Sequence, residues 1–179
     1  MSVEHSVIND ILAAPARLGP VRLVAVDGPS GSGKSSFADR LLAELPDAEL
    51  VRTDDFATWD DPVAWWPRLV DGVLTPLQRG RPGRYRRTVW SGGVPRSGDH
   101  VTVRVPHVLL VEGVSSGRRV VRPRLSYLVW CEVFDRAERL ARAVARDGEE
   151  CRQPLLTWQA FETGWFAVDG TRDAAQHRR

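Results

Sequence analysis

The octet Gly28-Pro29-Ser30-Gly31-Ser32-Gly33-Lys34-Ser35 constrains this chain more than any other feature, because of what flanks it. Residues 21–26 form a short, mostly apolar run of strand length, and Phe37, Leu41, Leu42 and Leu45 follow at helical spacing until Pro46. A buried strand, a glycine loop and a helix in that order aim the backbone N–H groups of residues 31–36 into one anion-sized hollow. The positive end of the helix lies beneath it. This is the context G-x-x-x-x-G-K-[ST] requires, and it points to the phosphates of a nucleoside triphosphate rather than to an ordinary glycine-rich turn.

Lys34 is the single lysine among 25 basic residues. Its compact ammonium on a flexible stem reaches between β- and γ-phosphates where a planar guanidinium is too wide. Ser35 is placed to give its hydroxyl to Mg²⁺. ATP with Mg²⁺ is therefore the expected ligand pair, held by Gly28, Ser30, Gly31, Ser32, Gly33, Lys34, Ser35 and Ser36.

A length of 179 residues with 42% hydrophobic content suits one globular domain over residues 1–179. A net charge of +2 gives no overall pull towards nucleic acid or membrane, so the expected partner is a small-molecule acceptor. Cys131 and Cys151 lack metal-ligand spacing, and no secretory segment or apolar run of membrane length is evident, which implies a reducing cytoplasmic setting. The four histidines show no ligand spacing and form no Ser-His-acid grouping.

Val3, Val7, Ile8, Ile11 and Leu12 predict an amphipathic helix ahead of the main fold. Strands are expected at residues 49–53, 108–111 and 125–131, with helices begun by Asp61-Pro62 and by Asp135 and a last helix over residues 155–166. Strands alternating with helices give an α/β class with a parallel sheet of four or five strands flanked by helices. Residues 80–106 are dense in Gly, Pro and Arg and carry alternating Val101, Val103 and Val105, which predicts a hairpin insert with an edge strand. Trp158, Phe161, Trp165 and Phe166 read as core or interface.

Absences narrow the class. Asn9 is the only asparagine, so guanine reading by Asn-Lys-x-Asp is excluded, and the apolar run at 108–111 ends in Glu112-Gly113 instead of Asp-Glu, which argues against an assembled ATPase motor. Four segments together resemble the uridine/cytidine kinase family of P-loop kinases. They are the glycine loop, Asp54-Asp55-Phe56, Val111-Glu112-Gly113-Val114, and Arg139-Leu140-Ala141-Arg142 with Arg146-Asp147, spanning about residues 21 to 147.

The resemblance implies transfer of the γ-phosphoryl of ATP to a hydroxyl of a nucleoside-like acceptor. Asp54 matches the family's proton-accepting base, with Asp55 and Phe56 at the substrate. Glu112 would orient Mg²⁺ through water or contact the substrate. Arg139, Arg142 and Arg146 share one helical face and match a lid, about residues 135–152, in which Arg139 holds ATP while Arg142 and Arg146 steady the transition state. The same spacing also suits a surface helix whose arginines pair with Glu138 or Asp135.

Tyr85 or Trp90 occupies the place of the family's base-stacking aromatic, but the neighbouring acidic residue is replaced by Arg86 or Val89. Arg84, Arg86 and Arg87 would suit an acceptor with a carboxylate or phosphate. A kinase for a nucleotide, sugar or antibiotic, or an ATP-binding regulator without turnover, are the alternatives. The family's last apolar strand has no counterpart after Gly170, which leaves a sheet of one fewer strand or an exposed edge open to homo-oligomer formation.

Overall fold

The computed structural model describes residues 3–179. Helix α1 (Val3–Ala13) precedes strand β1 (Arg22–Asp27), and α2 (Lys34–Glu44) leads to β2 (Ala48–Arg52). Asp61 Oδ1 accepts from the N–H groups of Ala64 and Trp65 at 2.7 and 3.2 Å and opens a helical stretch. That stretch comprises α3 (Trp66–Leu69), a π turn (Val70–Leu74) and α4 (Thr75–Gln78). Pro76 has no N–H to return to the preceding turn, which accounts for the break in the ordinary ladder.

The hairpin β3 (Gly83–Ser91) and β4 (Val94–Val103) turns on Gly92 and Gly93 at φ 55° and 70°. Two adjacent left-handed residues make the tight turn whose twist matches paired strands. Next come β5 (Val108–Glu112), β6 (Leu125–Trp130), α5 (Arg136–Asp147), α6 (Arg152–Asp169), α7 (Thr171–Ala174) and β7 (His177–Arg178).

The main sheet runs β2-β5-β1-β6-β7 with all four neighbour pairs parallel, and the hairpin forms a separate two-stranded sheet rather than an edge of the main one. Alternation along β1 sends Leu23 and Ala25 to one apolar core with Val51, Leu109, Trp65 and Leu69. Val24 and Val26 face the other, with α1 and α2 residues Ile11, Phe37 and Leu41. The chain leaves β1 for β2 on one side of the sheet and later crosses from β5 to β6 on the other, and a crevice opens beyond the carboxyl end of β1 at this reversal. Register sets Val26 beside Glu112, Glu112 beside Arg52, and Asp27 beside Trp130 along that rim.

No apolar strand follows Gly170, as expected, but the alternative of a sheet with one fewer strand is corrected. His177 and Arg178 pair with Val129 and Trp130, so a two-residue polar strand completes the sheet. An edge strand lies against one neighbour only, and backbone pairing can specify it without an apolar run. Among the described residues, no helix is long and apolar enough to cross a membrane.

Candidate active site

The phosphate loop is built by close approach. Gly28, at φ 144°, passes so near the end of β6 that a Cβ there would lie 2.0 Å from the Cys131 carbonyl oxygen, and a Cβ on Gly31, at φ 76°, would lie 2.4 Å from that of Arg139. Glycine at both positions is a packing requirement. Gly33 precedes α2 with no side-chain cap, leaving the first N–H groups of that helix for an anion. Lys34 is buried and donates Nζ to the Pro29 carbonyl at 2.9 Å.

Ser35 Oγ donates to Glu112 Oε1 at 3.2 Å, and Glu112 Oε2 accepts from Arg52 at 2.8 Å. Burial pushes the Glu112 carboxyl above its ordinary range, with Lys34 the largest opposing influence. Asp54, exposed on the turn after β2, shares a cavity of about 480 Å³ with Ser30, Lys34, Ser35, Glu112 and Arg146.

These residues fit ATP and Mg²⁺. Ser32 Oγ in the loop, Arg139 Nε beside it and Gln159 Nε2 are buried without hydrogen-bond partners. Buried polar atoms are rarely left so, and the uncapped helix end beside Ser32 supplies the matching anion subsite. The Ser35 hydroxyl and Glu112 carboxylate are the donors that would hold Mg²⁺, an ion that takes few protein ligands and keeps water and phosphate oxygens for the rest.

The remaining expected residues divide. Ser36 is exposed in the first turn of α2 and outside the cavity wall. Asp54 faces the cavity, which turns its successors inward because a 3-10 turn rotates each residue by a third of a circle. Asp55 accepts from the Tyr85 hydroxyl, and Phe56 stacks between Trp65 and Tyr85 at 5.3 and 4.6 Å. Burial raises the Asp55 carboxyl. Asp55, Phe56 and Tyr85, expected at the substrate, pack together behind Asp54 and line no part of the cavity. Trp90 reaches the cavity and donates Nε1 to the Asp54 carbonyl at 3.2 Å.

The arginine row is split. Arg139 is buried behind the phosphate loop, donating to the Val133 carbonyl at 2.7 Å, while Arg146 lines the cavity paired with Asp147. Arg142 stands outside the cavity wall in an i,i+4 ion pair with Glu138, the surface alternative. Arg84, Arg86 and Arg87 are exposed and line no part of the cavity.

Residues 23–151, from β1 to the turn before α6, match the model of the AAA domain family. The chain belongs to the AAA domain family. No curated protein matches its sequence. The fold is similar to that of a protein provisionally named a uridine kinase from Bacillus stearothermophilus, at a TM-score of 0.70 and 15% identity over 98% of this chain and 96% of that one. It is also similar to a protein provisionally named a fructose transport system kinase from Silicibacter sp. TM1040, at 0.61 and 17% over the whole of both chains. The architecture is that of a P-loop kinase-like α/β fold.

Four residues of this AAA domain chain escape motif reading. Glu162 of α6 accepts from the Ser30 N–H at 3.1 and 3.0 Å and from its hydroxyl at 3.0 Å, and burial raises its carboxyl. Trp59 and Trp158 wall the cavity, and Trp158 also packs against the main apolar core, as its core reading expects. Asp27, fully buried, carries the same signal as Glu112, a carboxylate closing an apolar strand.

Proposed function

We propose that this protein is an ATP-dependent phosphotransferase that moves the γ-phosphoryl group to a hydroxyl of a small nucleoside-like acceptor. The observation that carries the reading is one cavity holding both a phosphate grip, Lys34 and Ser35, and a carboxylate outside it, Asp54. AAA domain membership alone suits a motor equally. A motor needs only water beside its phosphate, whereas here the same cavity is also walled by Trp59, Trp90, Leu155 and Trp158.

Loop N–H groups and Lys34, released from the Pro29 carbonyl, would hold the phosphates, and Ser35 with Glu112 would hold Mg²⁺, which would supply neutralisation of charge on the phosphate oxygens. Asp54 takes the proton as the acceptor oxygen bonds to phosphorus and the bond to the ADP oxygen breaks. Arg146 lines the same cavity and would meet charge on the transferring group only by exchanging its pairing with Asp147. The acceptor class follows the family resemblance and the name carried by the first structural neighbour, and the name carried by the second makes a hydroxyl of a sugar the other class to test.

Mass detection of a phosphorylated product from uridine, cytidine or fructose, with matching ADP release, tests the reading. Asp54→Asn should lower kcat by about 10²- to 10⁴-fold with ATP affinity kept. Turnover near the wild-type rate would remove Asp54 as base. ATP binding without product from any acceptor would favour a regulator.

A further inference from the structure

Apart from the phosphate-loop and charged side chains, the cavity wall is apolar, with Ala57, Trp59, Trp90, Val114, Leu155 and Trp158 on it. The indoles come from three separate segments: the turn after β2, the end of β3, and α6. Trp59 stands edge-on to both others, with ring centroids 5.0 Å from Trp90 at 73° and 6.0 Å from Trp158 at 80°. Trp59 Nε1 is donated to the Gly93 carbonyl at 2.7 Å and Trp90 Nε1 to that of Asp54 at 3.2 Å. An indole has no other polar group, so these two rings offer a ligand π surface and edge, not donors.

Charge narrows the occupant further. Arg86 donates to the Gly98 carbonyl, and Arg84 and Arg87 are likewise exposed away from the wall. Arg146 is held by both oxygens of Asp147 at 2.6 Å, and Lys34 belongs to the phosphate loop. Asp54, Glu112 and Asp147 stand on the same cavity. An acceptor bringing its own phosphate or carboxylate would meet Asp54 and no uncommitted guanidinium, since Arg146 is spent on Asp147 and Arg52 on Glu112, and an unpaired anion out of water is costly.

We infer that Trp59, Trp90 and Trp158 form an acceptor subsite for an uncharged, flat-ringed alcohol, held by stacking and apolar contact, and that this subsite turns away phosphorylated and carboxylated acceptors. The inference rests on the phosphotransferase reading above. With two indole N–H groups spent, the polar edge of the ring is weakly read, so rings differing only at that edge bind alike.

The test uses the full chain loaded with Mg²⁺ and a non-hydrolysable ATP analogue, with equilibrium dialysis of uridine, cytidine, 2-phenylethanol, fructose and uridine 5′-monophosphate. Uridine and cytidine should bind within about threefold of each other, and uridine at least about tenfold more tightly than its monophosphate or fructose. Trp158→Ala should weaken the ring-bearing ligands about tenfold and Trp158→Phe should restore most of that, with affinity for a fluorescent ATP analogue unchanged. Preference for the monophosphate, no binding of any flat-ringed alcohol, or Trp158→Ala without effect would overturn the inference. Binding of the ring-bearing alcohols without phosphorylated product would sink the phosphotransferase reading and leave the subsite standing.

Discussion

Asp27 joins the two loops on which the site depends. Its Oδ1 accepts from the N–H groups of Gly28 at 2.7 Å and Ser115 at 3.0 Å, and its Oδ2 from that of Gly117 at 2.8 Å. Ser115 has a left-handed φ of 71°, a strained state held by Arg118, which donates to its carbonyl and hydroxyl at 3.1 and 2.7 Å. The Arg118 guanidinium lies 5.1, 4.2 and 5.2 Å from the rings of Trp65, Trp66 and Trp165, and burial pushes it down to about 10. Burial pushes the Asp27 carboxyl up to about 7, against the pull of its N–H donors and Lys34. An unfolded aspartate titrates near 3.9, so the folded state holds this proton more tightly. Its stabilising contribution is full below about pH 4 and is lost as pH rises through about 7. Asp27→Asn cannot titrate, and its changed hydrogen bonding costs the same at every pH. Denaturant unfolding from pH 5 to 8 should show wild-type stability falling relative to the variant by up to about 1.4 kcal/mol per unit, and parallel profiles would mean that Asp27 does not titrate there. At this scale the phosphate end was legible because Lys34, Ser35 and Glu112 are fixed by strand and loop geometry. Glu162 and Trp158 were not, because they act on loops more than sixty residues away and local periodicity records only that a helix face is apolar.

The hairpin shows what a turn signal does and does not carry. Gly92 and Gly93 between strand-forming runs specify a tight reversal, but nothing local says where its tip lands. Gly93 accepts the indole N–H of Trp59, and a Cβ on Gly93 would lie 2.8 Å from the Cys151 sulfur, so the tip is wedged between the cavity wall and the turn before α6. Gly92 has no atom within 4 Å of its own Cβ position. Gly93→Ala adds collision to a left-handed strain that Gly92→Ala adds alone, each strain costing about 1 kcal/mol or more. Gly93→Ala should therefore raise the acceptor KM about tenfold, and Gly92→Ala by less than about threefold, with ATP affinity kept in both. Equal effects on acceptor KM would show that the tip does not shape the acceptor hollow. For α5 the start was legible, since Asp135 accepts from the N–H groups of Ala137 and Glu138 at 2.8 and 3.2 Å. The joint action of its arginines was not, because Glu138 one turn earlier captures Arg142 while Arg139 is buried against the loop.

The sheet binds these parts into one molecule; β1, β5 and β6 were legible as apolar runs closed by turns, and β2 as a short strand ending at Asp54-Asp55. The fifth was not, since β7 has only polar residues and its signal lies in its neighbours. Gln176 donates its N–H to the Leu128 carbonyl at 3.0 Å and accepts the Leu128 N–H on Oε1 at 2.7 Å. Arg179 donates to the Trp130 carbonyl at 3.0 Å, accepts from the Glu132 N–H at 2.8 Å, and sets its guanidinium 4.4 Å over the Phe37 ring of α2. Residues 176–179 therefore cover the outer edge of β6 and tie it to the layer that packs against β1. Removing them strips those backbone partners from β6, each worth about 0.5–1.5 kcal/mol where water replaces the lost group, so a loss of about 2–4 kcal/mol is expected. The bared edge is also a template for pairing between copies. Unfolding midpoints should fall and sedimentation should show association that grows with concentration, whereas an unchanged midpoint and a monomer at every concentration would mean that β7 is not part of the sheet's stability. ATP affinity should hold within about twofold in the fraction that stays folded. Gly28 rests on Cys131, whose N–H is held by the Asp27 carbonyl at 2.8 Å, so the phosphate loop takes its position from the inner side of β6 and not from the edge that β7 covers.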